Sequence, residues 1–155
     1  MEAKIFFDGA CWNHPDHIHK MGIGVAVFLD EIYEEDLSRA IHLEDPKGSS
    51  NHAEWGGAVE AMRIAADLVK EGYSIKIFSD SQIISNQFNG NFRMNKPEFL
   101  DYCRIAKHYA DKAGVTSIEW IKRELNKEAD RLSKIGLHGE NYKVRRHNKK
   151  ILIDL

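Results

Sequence analysis

Cysteine is scarce. The 155 residues hold two, Cys11 and Cys103, too few for a disulfide framework, so a reduced, cytoplasmic setting is the default expectation. No apolar run approaches the roughly 18 residues needed to cross a bilayer, and no membrane partner is expected. The opening apolar stretch is short and ends in an acid, so a secretory leader is not expected either. An excess of one charge is also missing: the formal net charge is −2, which argues against a strongly basic nucleic-acid binder. The charge is nevertheless unevenly spread. Residues 31–36 are mostly acidic, whereas 143–150 read Lys-Val-Arg-Arg-His-Asn-Lys-Lys, so a local basic surface is compatible with the overall balance.

What is present suits one soluble globular domain. Hydrophobic residues make up 43% and charged residues 30%, and a chain of this length buries a core without staples. No internal repeat or linker divides it, and a monomer is expected. Residues 3–7 read as a strand ending at Asp8-Gly9. Residues 22–29 read as a buried strand with two glycines at its start, and 37–43 as a third. The period then changes. Ala58, Ala61, Ala65 and Leu68, widened by Val59, Met62, Ala66 and Val69, form a helical stripe, with Asn51 as N-cap and Gly72 as stop. Residues 74–79 alternate as a strand ending at Asp80, and a short helix is expected over 81–88. Pro97 opens a helix that reaches Gly114. Residues 117–121 form a last strand, and Asn126 caps a final helix that stops near Gly136. The order, β-β-β-α-β-α-α-β-α, predicts an α/β fold: an antiparallel meander extended by parallel strands and flanked by helices. Residues 1–137 read as the domain and 138–155 as a basic C-terminal tail, in which 151–153 either dock as an extra strand or stay loose.

The acids fall at telling places. Asp8 and Asp80 end apolar strands, where an α/β sheet opens its ligand crevice. Glu54 lies in the first turn of the first helix and Asp130 one turn into the last. Each alone has a plain explanation: Asp8 as a turn residue before Gly9, Glu54 as the partner of Asn51 in a capping box, Asp80 as a helix cap, and Asp130 on a solvated helix face. Gathered together they would repel and raise one another's pKa values. Hard divalent cations resolve such a cluster, and two of them roughly 4 Å apart support in-line displacement at phosphorus.

The contexts of the four acids carry a resemblance. Ile5-Phe6-Phe7-Asp8-Gly9-Ala10, Ser49-Ser50-Asn51-His52-Ala53-Glu54, Phe78-Ser79-Asp80-Ser81-Gln82 and Asn126-Lys127-Glu128-Ala129-Asp130-Arg131-Leu132-Ser133 resemble, in order and separation, the four motifs of type 1 ribonuclease H. The likeness spans about residues 3 to 137. It implies the ribonuclease H-like fold, with a mixed five-stranded sheet, and metal-dependent endonucleolytic hydrolysis of the RNA strand of RNA/DNA hybrids, leaving 3′-hydroxyl and 5′-phosphate ends. It implies that Asp8, Glu54, Asp80 and Asp130 are both the catalytic and the metal-binding residues, holding two Mg²⁺ ions, with Mn²⁺ as a substitute. It further implies that Gly9, Ser50, Asn51, Gln82 and Asn126 meet the substrate, through groove and 2′-hydroxyl contacts that separate RNA from DNA.

Two departures from the family pattern stand out. The loop histidine that many members carry before the last Asp is missing from residues 121–126; Glu124 is the auxiliary candidate there, against an exposed loop acid. The basic protrusion of some members is also missing, since residues 89–97 hold only Arg93 and Lys96 as cations. The chain therefore resembles short forms of the family, some of which also cleave double-stranded RNA. That substrate, or a binding module with weak or lost catalysis, is the alternative reading. His14, Asp16, His17 and His19 crowd one loop, which reads as a polar surface more than a zinc site. Cys11 reads as a small semi-buried side chain. Trp12 and Trp55 flank catalytic motifs; Trp55, Phe88 and Phe92 either pack in the core or line a groove. The run 143–150 is either a solvated tail or a source of phosphate contacts.

Overall fold

Alternation sets the first strand. Ala3, Ile5 and Phe7 are fully buried, with Lys4 and Phe6 between them on the opposite side. The computed structural model describes residues 1–12, 19–94 and 96–139, and the backbone of 144–147. Strand β1 (Glu2–Trp12) pairs antiparallel with β2 (His19–Leu29), which pairs antiparallel with β4 (Arg39–Asp45); a short β3 (Ile32–Tyr33) also lies on β2. On the other side of β1, β5 (Ser74–Ser79) runs parallel to it, followed by a parallel β6 (Glu119–Trp120). The far edge is β7 (Val144–His147), parallel to β4, so the sheet order is β6-β5-β1-β2-β4-β7. The expected mixed sheet is present, with β3 and β7 added to it. Residues 151–153 lie outside the described residues, as do 13–18 with His14, Asp16 and His17.

Helices cover both faces. Helix α1 (Ser50–Lys70) and α3 (Pro97–Ala113) close the main core, which centres on Ile5, Phe7, Ile23, Trp55, Met62 and Ile77. Helix α4 (Lys127–His138) closes a smaller cluster of Ala26, Ala40, Ala129 and Leu132 on the other face. The short α2 (Gln82–Phe88) follows β5. Trp55 and Phe88 belong to the core, whereas Phe92 is exposed.

Several boundaries differ from the sequence reading. Strand β1 does not end at Asp8; it continues to Trp12 because β2 goes on pairing with it. Its parallel partner β5 stops opposite Phe7, so Asp8 marks the point where β1 outruns β5. Ser49, not Asn51, caps α1, its hydroxyl accepting from the His52 amide at 3.2 Å. The Asn51–Glu54 capping box is therefore not formed as proposed, and Glu54 is left for another role. The third strand begins two residues later than 37, at Arg39. The last strand shrinks to two residues, Glu119–Trp120. Gly136 does not stop α4. It lies inside the helix, where a Cβ would come within 2.4 Å of the Ile41 carbonyl oxygen; the stop is Gly139, with φ of 65°.

Candidate active site

Two close approaches assemble the site. The first is at Gly9. A Cβ there would lie 2.4 Å from Ala53 C and Glu54 N, so the bare glycine lets the start of α1 press on β1 and sets Glu54 beside Asp8. The second is at Gly24, the partner of Asp8 across β1–β2. A Cβ there would lie 2.1 Å from the Ala129 carbonyl oxygen, so α4 rests directly on the sheet and brings Asp130 toward Asp8. Asp80 follows β5 beside the same strand end. Its backbone carbonyl accepts from the Trp120 indole N–H at 3.1 Å.

Asp8, Glu54 and Asp80 converge as the sequence leads one to expect. One carboxylate oxygen from each lies within 4.8 Å of the others, a grouping able to hold a metal ion. Asp130 stands at the margin: its charge acts on Asp8 and Asp80, but its carboxylate is half-exposed and pairs with Lys134 at 3.0 Å.

The electrostatics are those of a cluster short of positive charge, with Arg123 the cation acting on Glu54 and Asp80. Burial, then the charge of Asp80, push the Asp8 carboxyl up to about 8, against a hydrogen bond from the Gly9 amide at 2.9 Å. Burial pushes Glu54 up to about 7, opposed by a hydrogen bond from the Ser81 hydroxyl and by the charge of Arg123. Asp80 is also raised by burial, with the Asn126 hydrogen bond and Arg123 pulling the other way. The three groups offer hard oxygen donors, and no lysine pairs with any of the three within 4 Å among the described residues. This donor set fits a divalent cation, which would supply the missing positive charge.

The surrounding polar residues divide. Ser50 and Gln82 are exposed and open α1 and α2; Asn51 and Gly9 are half-buried nearby. Glu124 is exposed on a 3-10 turn, Arg123–Leu125, just before α4. Asn126 is different: only 1% exposed, it turns its side chain inward, donating to the Phe7 carbonyl at 3.0 Å and to Asp80 Oδ2 at 3.3 Å. Sequence reasoning missed Ser81 and Arg123. Ser81 both caps α2, through the Ile84 amide, and hydrogen-bonds Glu54. Arg123 is the cation whose charge reaches Glu54 and Asp80. Its signal was in plain view, one residue before Glu124, in the same loop. Burial raises the thiol pKa of both Cys11 and Cys103, so neither is poised as a nucleophile.

Comparison with known proteins places this arrangement. A family model described as reverse transcriptase-like matches residues 7–136, which include all four acids. Among solved structures, the fold is similar to that of RNase H1 from the halophilic archaeon Halobacterium salinarum NRC-1, with a TM-score of 0.75 and 22% identity, covering 90% of this chain and 99% of that one. LC11-RNase H1, isolated from compost by a metagenomic approach and solved in complex with an RNA/DNA hybrid, gives a TM-score of 0.72 at 19% identity, covering 89% and 98%. The N-terminal RNase H domain of a Mycobacterium tuberculosis protein gives 0.66 at 22%, covering 86% and 98%. At these identities the structural likeness establishes the fold. No helix among the described residues is long and apolar enough to cross a membrane.

Proposed function

The chain belongs to the reverse transcriptase-like family, and on that premise we propose that it is a ribonuclease H-type enzyme that hydrolyses the RNA strand of RNA/DNA hybrids at the Asp8–Glu54–Asp80 cluster, leaving 3′-hydroxyl and 5′-phosphate ends. The observation that carries the reading is the meeting of three partly or fully buried carboxylates from three separate elements, with no lysine paired to any of them among the described residues. Asp8, Glu54 and Asp80 would hold two Mg²⁺ ions, or Mn²⁺ in their place, with Asp130 contributing from the margin. Bound there, the cations would supply charge compensation, an activated water and stabilisation of the leaving oxygen.

The protein's own part is to fix geometry. Strand β1 where it outruns β5, the residue after β5, and the start of a 21-residue helix present the acids on rigid supports. Ser50, Asn51 and Gln82, with the Gly9 backbone, form the polar rim suited to 2′-hydroxyl and minor-groove contacts. Glu124 is exposed where it can aid proton transfer or product departure. A relative of the same fold was solved on an RNA/DNA hybrid, which supports this substrate class. With Cys11 and Cys103 both free thiols, a reduced, cytoplasmic setting is the consistent one.

A substrate panel tests the proposal. Labelled RNA/DNA hybrid, double-stranded RNA and double-stranded DNA are each incubated with Mg²⁺ or Mn²⁺, with Asp80→Asn as control. Metal-dependent cleavage confined to the RNA strand of the hybrid is expected. Preference for double-stranded RNA would redirect the assignment, and salt-sensitive binding without turnover in either metal would replace it with a binding module.

A further inference from the structure

Asn126 occupies the N-cap position of α4, a place where its side chain ordinarily accepts from the first helical amides, yet it makes no such bond. Its amide is spent elsewhere. Nδ2 donates to the Phe7 carbonyl at 3.0 Å and to Asp80 Oδ2 at 3.3 Å, at the point where β1 and β5 part. Both partners are acceptors only, so the amide orientation is fixed by chemistry: the NH₂ group must face them, and its two protons serve one each. The backbone locks the residue in place, the Asn126 amide donating to the Arg123 carbonyl at 3.0 Å and its carbonyl accepting from the Asp130 amide at 3.1 Å. With 1% of the residue exposed, it cannot present its side chain to a substrate groove. The cost is visible: Oδ1 is buried with no hydrogen-bond partner among the described residues.

We propose that Asn126 is a positioning residue that orients the Asp80 carboxylate toward its metal, by tying that carboxylate to β1 at Phe7. This rests on the metal-dependent reading of the cluster. Partners that orient a metal-ligating group are worth about 10- to 100-fold in metal affinity or activity, and Asn126 is placed to be one. It also explains the residue type. Aspartate in the same space would oppose an oxygen to the Phe7 carbonyl and to Asp80, and a helix-capping serine is too short to span both.

The test is Mn²⁺ binding by calorimetry on the full chain, beside steady-state cleavage of a hybrid. Asn126→Ala removes both donors; Asn126→Leu removes them while keeping a similar side-chain volume and adding no charge. Either variant that folds should bind Mn²⁺ about 10- to 100-fold more weakly, with the KM for hybrid unchanged. In an Asp80→Asn background the same substitution should add little further loss, because Asn126 acts through that carboxylate. In the wild type, the Asn126 side-chain amide protons should be slow to exchange and should shift in the NMR spectrum on adding Mg²⁺, which tests the bond without any substitution. Metal affinity within about twofold of wild type, an equal loss in the Asp80→Asn background, a rise in KM alone, or amide protons insensitive to Mg²⁺ would each overturn the proposal. If the wild type cleaves no hybrid while the affinity losses appear as described, the proposed function fails and the positioning role stands.

Discussion

Replacing Gly9 with alanine should damage both the fold and the site, and the size of the effect follows from the packing. The new Cβ would lie 2.4 Å from Ala53 C and Glu54 N and 2.7 Å from Ala53 O. Non-bonded carbons settle about 3.5–4.0 Å apart, so the start of α1 must retreat by about 1 Å. All three atoms are helix backbone, so no rotamer change relieves the clash. Overpacking of this kind costs about 1–3 kcal/mol, which lowers the melting temperature of a domain this size by roughly 2–12 °C. The retreating turn carries Glu54, and a misplacement of about 1 Å at a reacting centre costs on the order of 100-fold in rate. Thermal unfolding and kcat/KM on an RNA/DNA hybrid, measured on the same preparation, read the two effects. A melting temperature within about 1 °C of wild type together with kcat/KM within about twofold would refute the claim that this contact builds the site.

The remaining predictions concern charge and core. In metal-free protein the Asp8 and Glu54 carboxyls are raised to about 8 and about 7, so between the ordinary carboxyl range and those values the fold binds more protons than the unfolded chain. Stability then falls as pH rises through that window, and melting in EDTA should be lower at alkaline than at mildly acidic pH; Mg²⁺ should flatten the slope. Asp130 lies outside the close trio and is paired with Lys134, so Asp130→Asn should lose less Mn²⁺ affinity than Asp8→Asn in the same calorimetric titration. Trp55 is fully buried with its indole N–H bonded to Gln87, so Trp55→Ala should lose about 3–5 kcal/mol in urea unfolding, whereas exposed Phe92→Ala should change stability by less than about 0.5 kcal/mol.

The three converging acids were legible because each follows an apolar alternation or opens a helical stripe, and such patterns announce themselves by period, although β1 runs on past Asp8. Asp8 and Asp80 could be placed at strand ends from the alternation of residues 3–7 and 74–79 alone. What could not be read was how long the neighbours keep pairing. Strand β1 runs on to Trp12 because β2 follows it, which no local pattern in Gly9-Ala10-Cys11-Trp12 reveals. Helix caps were misassigned where two capping residues compete. Ser49 and Asn51 both suit an N-cap, and the choice of Ser49 is accompanied by a second bond, its hydroxyl meeting His52 Nδ1 at 2.6 Å. Gly136 illustrates the same limit: a glycine near a helix end reads as a stop, and only the packed sheet shows that it is a contact point with Ile41. Asn126 was placed correctly as the residue before α4, but the inward turn of its side chain depends on Phe7 and Asp80, more than 40 residues away in sequence.

The account stands most directly on cleavage of a hybrid labelled on its RNA strand, by wild type and by Asp8→Asn at matched Mg²⁺. RNA-strand cleavage by wild type should stop on chelation, and the rate in Asp8→Asn should fall by at least about 100-fold, or about 2.7 kcal/mol of transition-state stabilisation. Cleavage that survives chelation, or an Asp8→Asn variant as fast as wild type, would contradict it.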